Sequence, residues 1–363
     1  MKANNRFIKL CCIGFMLILS LQVSAKKFEE AFTQEETGLN MQKITDESSN
    51  SVYGHRTSNS VVKKIKSGSF FSAIASKAGA SSASKDVLTV KGCCGNAGIS
   101  WSTQRLLCMS PDGTELAYLS NVNEQPNIMI RKTSTVSTST QRTFRSVGGF
   151  CWANNGNLYF ADETNQNESA ICVVNATKGT VMRQLTNGNM DCDPVLATDG
   201  KTLFFTRVDK AGPSIWCINL ETNDIICCAN GYNIALIGDR TDEFICVRNS
   251  TSGNSEIWLV NYVQGRETLL LSEKERGFSN PVLSPDGQWI LLEGNSKSAI
   301  SKKNNLDIFA VKIDGSSLIQ LTYHPETDCC PVWSADGKNI YFISSRTNKK
   351  DRFNVWKMRF DVK

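Results

Sequence analysis

CCPVWSADGKNIYFISSRTNKKDRFNVWKMRFDV, residues 329–362, contains one complete structural unit. Pro331-Val332-Trp333-Ser334 reads as a short apolar strand, Ala335-Asp336-Gly337-Lys338 as a tight turn, and residues 339–344 as a second strand. A polar loop follows, and residues 353–360 alternate as a third strand. The turn has a mechanism. The Asp carboxylate accepts hydrogen bonds from backbone N–H groups ahead of it, and Gly takes the positive φ that closes the reversal without a Cβ clash. The unit is a β-meander.

The same grammar recurs upstream at Asn280-Pro281-Val282-Leu283-Ser284-Pro285-Asp286-Gly287 and at Asp193-Pro194-Val195-Leu196-Ala197-Thr198-Asp199-Gly200, each leading into a second apolar run. Two copies with weaker fronts are Leu107-Cys108-Met109-Ser110-Pro111-Asp112-Gly113 and Cys151-Trp152-Ala153-Asn154-Asn155-Gly156. A degenerate copy at residues 234–248 has Arg240 after Asp239, where the other copies have Gly. Gly113, Gly156 and Gly200 are spaced by 43 and 44, and Gly287 follows after 87, room for two units. A period of roughly 40–50 with four short strands per unit reads as propeller blades. First strands near residues 106–109, 149–153, 193–197, 233–237, 280–284 and 330–334 make six blades. The expected fold is an all-β, six-bladed propeller over residues 86–363. The last blade shows only three strands, whereas Asp86-Val87-Leu88-Thr89-Val90 alternates and has no blade of its own. This N-terminal strand is expected to pair with residues 353–360 as the fourth strand of the last blade. A closed ring then leaves no open edge.

Residues 1–25 read as an export signal. Lys2, Arg6 and Lys9 precede an apolar run over 10–23, and Val23-Ser24-Ala25 is a small-residue cleavage site. The run of 14 residues is shorter than the roughly 20 that span a bilayer. Cys11 and Cys12 sit at its start instead of after it, which excludes a lipoprotein signal. The mature chain is expected to be periplasmic or secreted, not inserted in the membrane, and monomeric. Residues 26–85 are polar, Ser-rich at 48–51 and 81–84, and without sustained apolar period, so a flexible linker is expected. A tether that docks a partner is the alternative reading of that segment.

The formal net charge is +5, and residues 1–25 carry three of the positive charges and no acid, leaving +2. A nucleic-acid binder needs many Lys/Arg–phosphate contacts and is excluded on this balance. The only histidines are His55 and His324, and no Gly-x-Ser-x-Gly occurs, which leaves a His-based triad little to work with. The Asp-Gly turns lack the Ser-x-Asp-x-Gly-x-Thr-Trp spacing of sialidase boxes, and no carboxylate pair is singled out. No catalytic residue, cofactor or metal is therefore expected. Of the 14 cysteines, Cys11 and Cys12 leave with the signal, so twelve remain. Cys108, Cys151, Cys172, Cys192, Cys217 and Cys246 fall in or beside expected strands as small buried hydrophobes. Cys93-Cys94, Cys227-Cys228 and Cys329-Cys330 are adjacent pairs. Strand neighbours point to opposite faces, so each pair offers one thiol per face and not a two-thiol claw. Without CxxC spacing or nearby histidines a zinc site is excluded, and buried structural thiols with a few disulfides are expected. Trp216, Trp258, Phe309 and Trp356 recur at one place in the third strand, which assigns them to packing between blades.

The repeats resemble the PD40, WD40-like repeats of the TolB propeller family. Ser110-Pro111-Asp112-Gly113, Ser284-Pro285-Asp286-Gly287 and Ser334-Ala335-Asp336-Gly337 carry the resemblance, with third strands such as Ile215-Trp216, Ile257-Trp258, Asp307-Ile308-Phe309 and Val355-Trp356. It covers residues 86–363 and implies the propeller and a periplasmic compartment. TolB itself has an α/β domain ahead of its propeller and binds a peptidoglycan-associated lipoprotein. Residues 26–85 are too short and too polar for such a domain.

The loops between second and third strands share one face with the links between blades. Blades 5 and 6 bring Lys297, Lys302, Lys303, Arg346, Lys349, Lys350 and Arg352 there against Asp351, and blade 2 brings Asp162, Glu163 and Glu168. The face is expected to be bipolar, with Arg346, Lys350, Arg352, Lys302 and Lys303 as candidate binding residues. Opposite poles orient a partner and speed its encounter; a merely solvated loop is the bland alternative. The residues point to a non-enzymatic protein-binding or scaffolding propeller of the cell envelope, with a protein partner. The alternative is a carbohydrate-processing enzyme with an acidic-residue site in the channel.

Overall fold

Three turns explain the spelling of the repeat. The hydroxyls of Ser110, Ser284 and Ser334 donate to the carboxylates of Asp112, Asp286 and Asp336 at 2.6, 2.5 and 2.5 Å. Each carboxylate also accepts a backbone N–H, from Thr114, Gln288 and Lys338, at 3.0 Å. Each serine oxygen in turn accepts the N–H that opens the next strand, from Glu115, Trp289 and Asn339, at 2.9 Å. The serine bonds, and then the backbone bonds, hold these three carboxyls below the usual range. Gly113, Gly287 and Gly337 close the reversals at φ +72°, +71° and +69°, as the sequence requires. In the degenerate copy Arg240 N–H donates to Ile237 carbonyl, while Gly238 takes the positive φ of 56°.

The computed structural model describes residues 41–43 and 105–362, apart from 123–124, 134–138, 144–146, 163–167, 180–182, 188–189, 252, 298–303, 345 and 347–353. Strand β1 (Met41–Lys43) precedes the blades. Blade 1 holds β2 (Leu107–Met109), β3 (Glu115–Val122), β4 (Gln125–Lys132) and β5 (Thr140–Gln141). Blade 2 holds β6 (Val147–Trp152), β7 (Asn157–Asp162), β8 (Ala170–Asn175) and β9 (Arg183–Gln184). Blade 3 holds β10 (Met190–Leu196), β11 (Thr202–Asp209), β12 (Gly212–Asn219) and β13 (Ile225–Asn230). Blade 4 holds β14 (Tyr232–Leu236), β15 (Glu243–Asn249), β16 (Ser255–Asn261) and β17 (Arg266–Leu271). Blade 5 holds β18 (Phe278–Leu283), β19 (Trp289–Lys297), β20 (Asn304–Lys312) and β21 (Ile319–Gln320), and blade 6 holds β22 (Asp328–Trp333), β23 (Asn339–Ser344) and β24 (Asn354–Arg359).

Each sheet is an antiparallel meander of four strands. The first strands touch one another in order, β2 to β6, β10, β14, β18, β22 and back to β2, so they line the axis of a closed six-bladed ring. The unit Met41–Phe360 contains all of it. Among the described residues there is no helix. The core lies between the blades. Phe204 of blade 3 meets Phe244 of blade 4 edge-on at 5.7 Å, and Trp333 of blade 6 donates from Nε1 to the Val282 carbonyl of blade 5 at 3.1 Å. Phe360 sits edge-on to both Trp333 and Trp289, at 4.8 and 5.6 Å, just past the last strand.

The ring is closed by an N-terminal strand, but not by the one expected. β1 pairs with β24, Met41 opposite Met358 and Lys43 opposite Trp356, and fills the fourth place of blade 6. Residues 86–90 lie outside the described residues, as do the signal segment 1–25 and the linker 26–85 apart from Met41–Lys43. The apolar alternation of 86–90 misled because an outermost strand packs on one side only. Its place asks for backbone pairing, which a polar Met-Gln-Lys segment supplies equally well.

Two measurements test these contacts. The combined Met41→Gly, Gln42→Pro, Lys43→Gly variant removes ladder donors at the edge of β24 and is expected to melt lower, by about 2–4 °C per kcal/mol lost. Leu88→Pro leaves that edge intact and should melt as the parent does; the reverse order would return closure to residues 86–90. Gly287→Ala, with open space around the added Cβ, should lose about 1–2 kcal/mol through left-handed strain. Gly315→Ala should lose clearly more, because at φ +83° its Cβ would lie 2.2 Å from the Leu270 carbonyl oxygen of blade 4. Equal denaturant midpoints for the two would contradict the close approach of blade 5 to blade 4.

Candidate functional site

Where the six first strands converge, one position per blade faces the axis: Leu106, Gly149, Asp193, Asn233, Asn280 and Cys330. The last four adopt left-handed φ of 52°, 49°, 52° and 52°, and each interrupts the register between first and second strand. Such a bulge re-aims a side chain, and here it turns polar groups toward their neighbours. Asn233 Nδ2 donates to Asp193 Oδ2 at 2.8 Å, and Asn280 N–H donates to Asn233 Oδ1 at 3.3 Å. Asn280 Nδ2 and Cys330 N–H both donate to Glu293 Oε1, at 2.9 and 2.5 Å. The Cys330 sulfur receives the Leu106 N–H, which carries the belt from blade 6 into blade 1.

Arg105, buried just before blade 1, reaches blades 3 and 4. Its N–H donates to Asp193 Oδ1 at 3.4 Å, and its guanidinium Nη2 reaches the Ile234 carbonyl of blade 4, opposite, at 2.8 Å. Blade 2 has Gly149 there, where an added Cβ would come within 3.4 Å of the Arg105 backbone N and of Asp193 Oδ1, an ordinary packing contact. Burial pushes the Glu293 carboxyl up to about 7, against the opposing effect of its hydrogen bonds from Asn280 and Cys330.

A second device repeats around the ring. Arg207, Arg248, Arg276 and Arg346 lie 4.6, 5.2, 4.7 and 5.5 Å over the rings of Trp216, Trp258, Phe309 and Trp356. Each is also paired with an acid, Asp191, Glu267, Glu273 and Asp328 respectively. Trp216, Trp258 and Phe309 pack in the core clusters, and a guanidinium lies over each ring.

Arg346 is therefore not a free charge of the loop face. Its side chain is 8% exposed and is held by Asp328, Ser344 Oγ and the Met41 sulfur of the closing strand. Lys302, Lys303, Lys350 and Arg352 lie outside the described residues. Beside Arg346, Asp307 accepts from Ser296, from Thr322 Oγ1 at 3.1 Å and from Gln320 Nε2 at 3.1 Å. Burial and then the nearby Asp328 carboxylate push Asp307 up to about 8. A carboxylate pair thus exists, at the junction of blades 5 and 6, but both members are fully buried. The belt and these arginines escaped the sequence reading; the signal present was a polar or Cys residue before Pro194, Pro281 and Pro331 in otherwise apolar strands.

Cys192 is disulfide-bonded, and Cys108, Cys151, Cys172, Cys217, Cys227, Cys228, Cys246, Cys329 and Cys330 are free thiols. Burial raises Cys151 and Cys246 to about 12. No cluster of three or more His, Cys, Asp or Glu side chains suits a metal among the described residues.

The meander blades, the Asp-Gly turns and the filled axis define a six-bladed β-propeller stabilised by its own side chains at the centre. The chain belongs to the TolB β-propeller domain (PD40) family, whose sequence profile matches residues 96–299. A TolB structure from Agrobacterium tumefaciens superposes with a TM-score of 0.54 at 14% identity, over 71% of this chain and 90% of that one. An oligogalacturonate lyase from Vibrio parahaemolyticus superposes with a TM-score of 0.51 at 10% identity, over 72% of this chain and 90% of that one. Both likenesses are of fold. Dipeptidyl-peptidase 5 of Porphyromonas gingivalis is 34% identical over 67 residues, 18% of this chain; the match spans only 10% of that relative's length.

The Glu293 carboxyl gives the belt a pH signature. Its folded value is raised, so its contribution to stability is full below the unfolded value near 4.5 and is lost as pH rises through about 7. Glu293→Gln should flatten the fall in stability between pH 5 and 8, which in the parent amounts to at most roughly 3 kcal/mol. Denaturant melts of both proteins at pH 5 and 8 measure it, and parallel pH dependences would show that Glu293 does not titrate in this window.

Proposed function

We propose that this protein is an exported, non-enzymatic binding or scaffolding propeller of the cell envelope, acting on a protein partner through the face of second-to-third strand loops and inter-blade links. The observation that carries the reading is the filled axis. The first strands bear three carboxylates, and Asp191 is tied to Arg207, Asp193 to Asn233 and Arg105, and Asp328 to Arg346. All three are buried, which leaves them no path to a sugar in the channel. That weighs against the carbohydrate-processing alternative, and the likeness to the lyase adds only a shared fold. Membership of the TolB propeller family supports the envelope setting.

On this reading Lys302, Lys303, Lys350 and Arg352 supply the positive pole that meets the partner, while Arg346 is taken up by Asp328 and Ser344 of blade 6. Exposed ion pairs are each worth only about 0–1 kcal/mol, so single substitutions should have little effect. The combined Lys302→Glu, Lys303→Glu, Lys350→Glu, Arg352→Glu protein should bind a partner captured from envelope extract with a slower on-rate, and the difference should shrink as salt rises. Its melting temperature should match the parent's, whereas Arg346→Glu, which sets a third carboxylate beside Asp328 and Asp307, should melt well below it. An unchanged on-rate at low salt would reduce these four side chains to solvated loop charges.

A further inference from the structure

Blade 3 differs from its neighbours at its outer edge. The outer strands of blades 1, 2 and 5 have two residues each, whereas β13 has six and carries no charged side chain. In blade 4 the six-residue β17 is covered in part, because the Gly315 turn of blade 5 presses on the Leu270 carbonyl. At the corresponding turn of blade 4 a Cβ added to Gly265 would meet open space, and blade 4 holds only the end of β13, where Arg248 Nε donates to the Asn230 carbonyl at 3.0 Å. Ile226, the second residue of β13, is 51% exposed. A long, uncharged, uncovered edge strand is prone to peel or to pair with another chain.

The same strand holds two thiols, and one of them has a partner. β12 and β13 are antiparallel neighbours with Trp216 opposite Cys227 and Cys217 opposite Ile226. A register shift between Ile215 and Trp216 leaves Cys228 as the extra residue of β13. The bulge turns Cys228 inward onto the cluster that contains Cys217, Phe244 and Tyr262, while Cys227 stays exposed. There Cys217 and Cys228 pack in one cluster, while the Cys228 S–H lies 3.9 Å from the Ile226 carbonyl of its own strand and the Tyr262 hydroxyl of blade 4 donates to the Thr241 carbonyl at 3.0 Å. Cys217 is buried and Cys228 half-buried, so only Cys228 is open to a reagent from solvent.

We propose that Cys217 and Cys228 are a cross-strand disulfide site, oxidised by exchange with a low-molecular-weight disulfide once the chain reaches an oxidising compartment. The compartment rests on the export reading; the chemistry of the pair does not. Cys228 sulfur attacks the reagent disulfide RSSR, forming Cys228–S–SR while RS⁻ leaves and departs as RSH with the Cys228 proton. Cys217 sulfur then attacks the Cys228 sulfur of that mixed disulfide, and the second RS⁻ departs as RSH with the Cys217 proton. Two electrons pass from the two thiols to RSSR, and one S–S bond replaces another in each step. The product ties the outer strand of blade 3 to β12 at the point where it is least covered.

The test uses the purified mature chain with oxidised glutathione, followed by alkylation and peptide mass spectrometry, so export plays no part in it. The expected result is a linked peptide joining Cys217 to Cys228 and the loss of two alkylatable thiols, in the parent and in Cys227→Ser alike. Cys228→Ser should retain an alkylatable Cys217 after the same treatment. The oxidised parent should melt above the reduced parent, and Cys228→Ser should show no such rise. A link through Cys227 instead, or a stable glutathione adduct on Cys228 with Cys217 still alkylatable, would overturn the proposal.

Discussion

The structure depends on how six sheets share one axis. First strands that converge from six directions leave little space, so large groups cannot occupy every blade's central position. Blade 2 has a glycine, Gly149, at its central position, and Arg105 reaches the carbonyl of Ile234 in blade 4. Most of the remaining polar groups bond to one another, since buried donors and acceptors without partners cost free energy, while Asn280 Oδ1 and Arg105 Nε stay buried without a hydrogen-bond partner. Asp193, Asn233, Asn280 and Glu293 therefore form a chain in which each blade supplies a hydrogen bond to the next. The left-handed bulges are the backbone adjustment that aims them. Asp and Asn tolerate that conformation better than most residues, and Cys330 takes it in blade 6 with its N–H on Glu293.

Away from the axis the same problem recurs with charge. Each of four third-strand aromatics lies under a guanidinium, and each guanidinium is neutralised by its own acid. The arrangement lets an arginine cover apolar surface while its charge stays paired. It also divides the basic residues of the loop face into two kinds that sequence spacing alone does not separate. Arg346 serves the packing of blade 6 and of the closing strand, and so cannot serve a partner at the same time.

Edges are handled differently from blade to blade. Blade 6 is completed from the far end of the chain by Met41–Lys43, blades 1, 2 and 5 keep their outer strands to two residues, and blade 4 is pressed by a turn of blade 5. Blade 3 has none of these protections, and it is there that two thiols from adjacent strands pack in one cluster.

The sequence by itself determined the number of blades, the order of strands and the chemistry of each Asp-Gly turn. Those features are local: Ser284, Asp286, Gly287 and Trp289 make their bonds within six residues, and the pattern is repeated often enough to count. It also located the aromatic position of the third strand. What only the tertiary structure decided are contacts between residues far apart in the chain, where no local period exists to read. Arg105 meeting Ile234 across the ring is one. Met41–Lys43 closing the ring in place of residues 86–90 is another, because an outermost strand is chosen by available backbone pairing more than by apolar pattern. The burial of Arg346 is a third: its place in a polar, basic stretch predicts solvent, and Asp328, eighteen residues earlier, draws it inside.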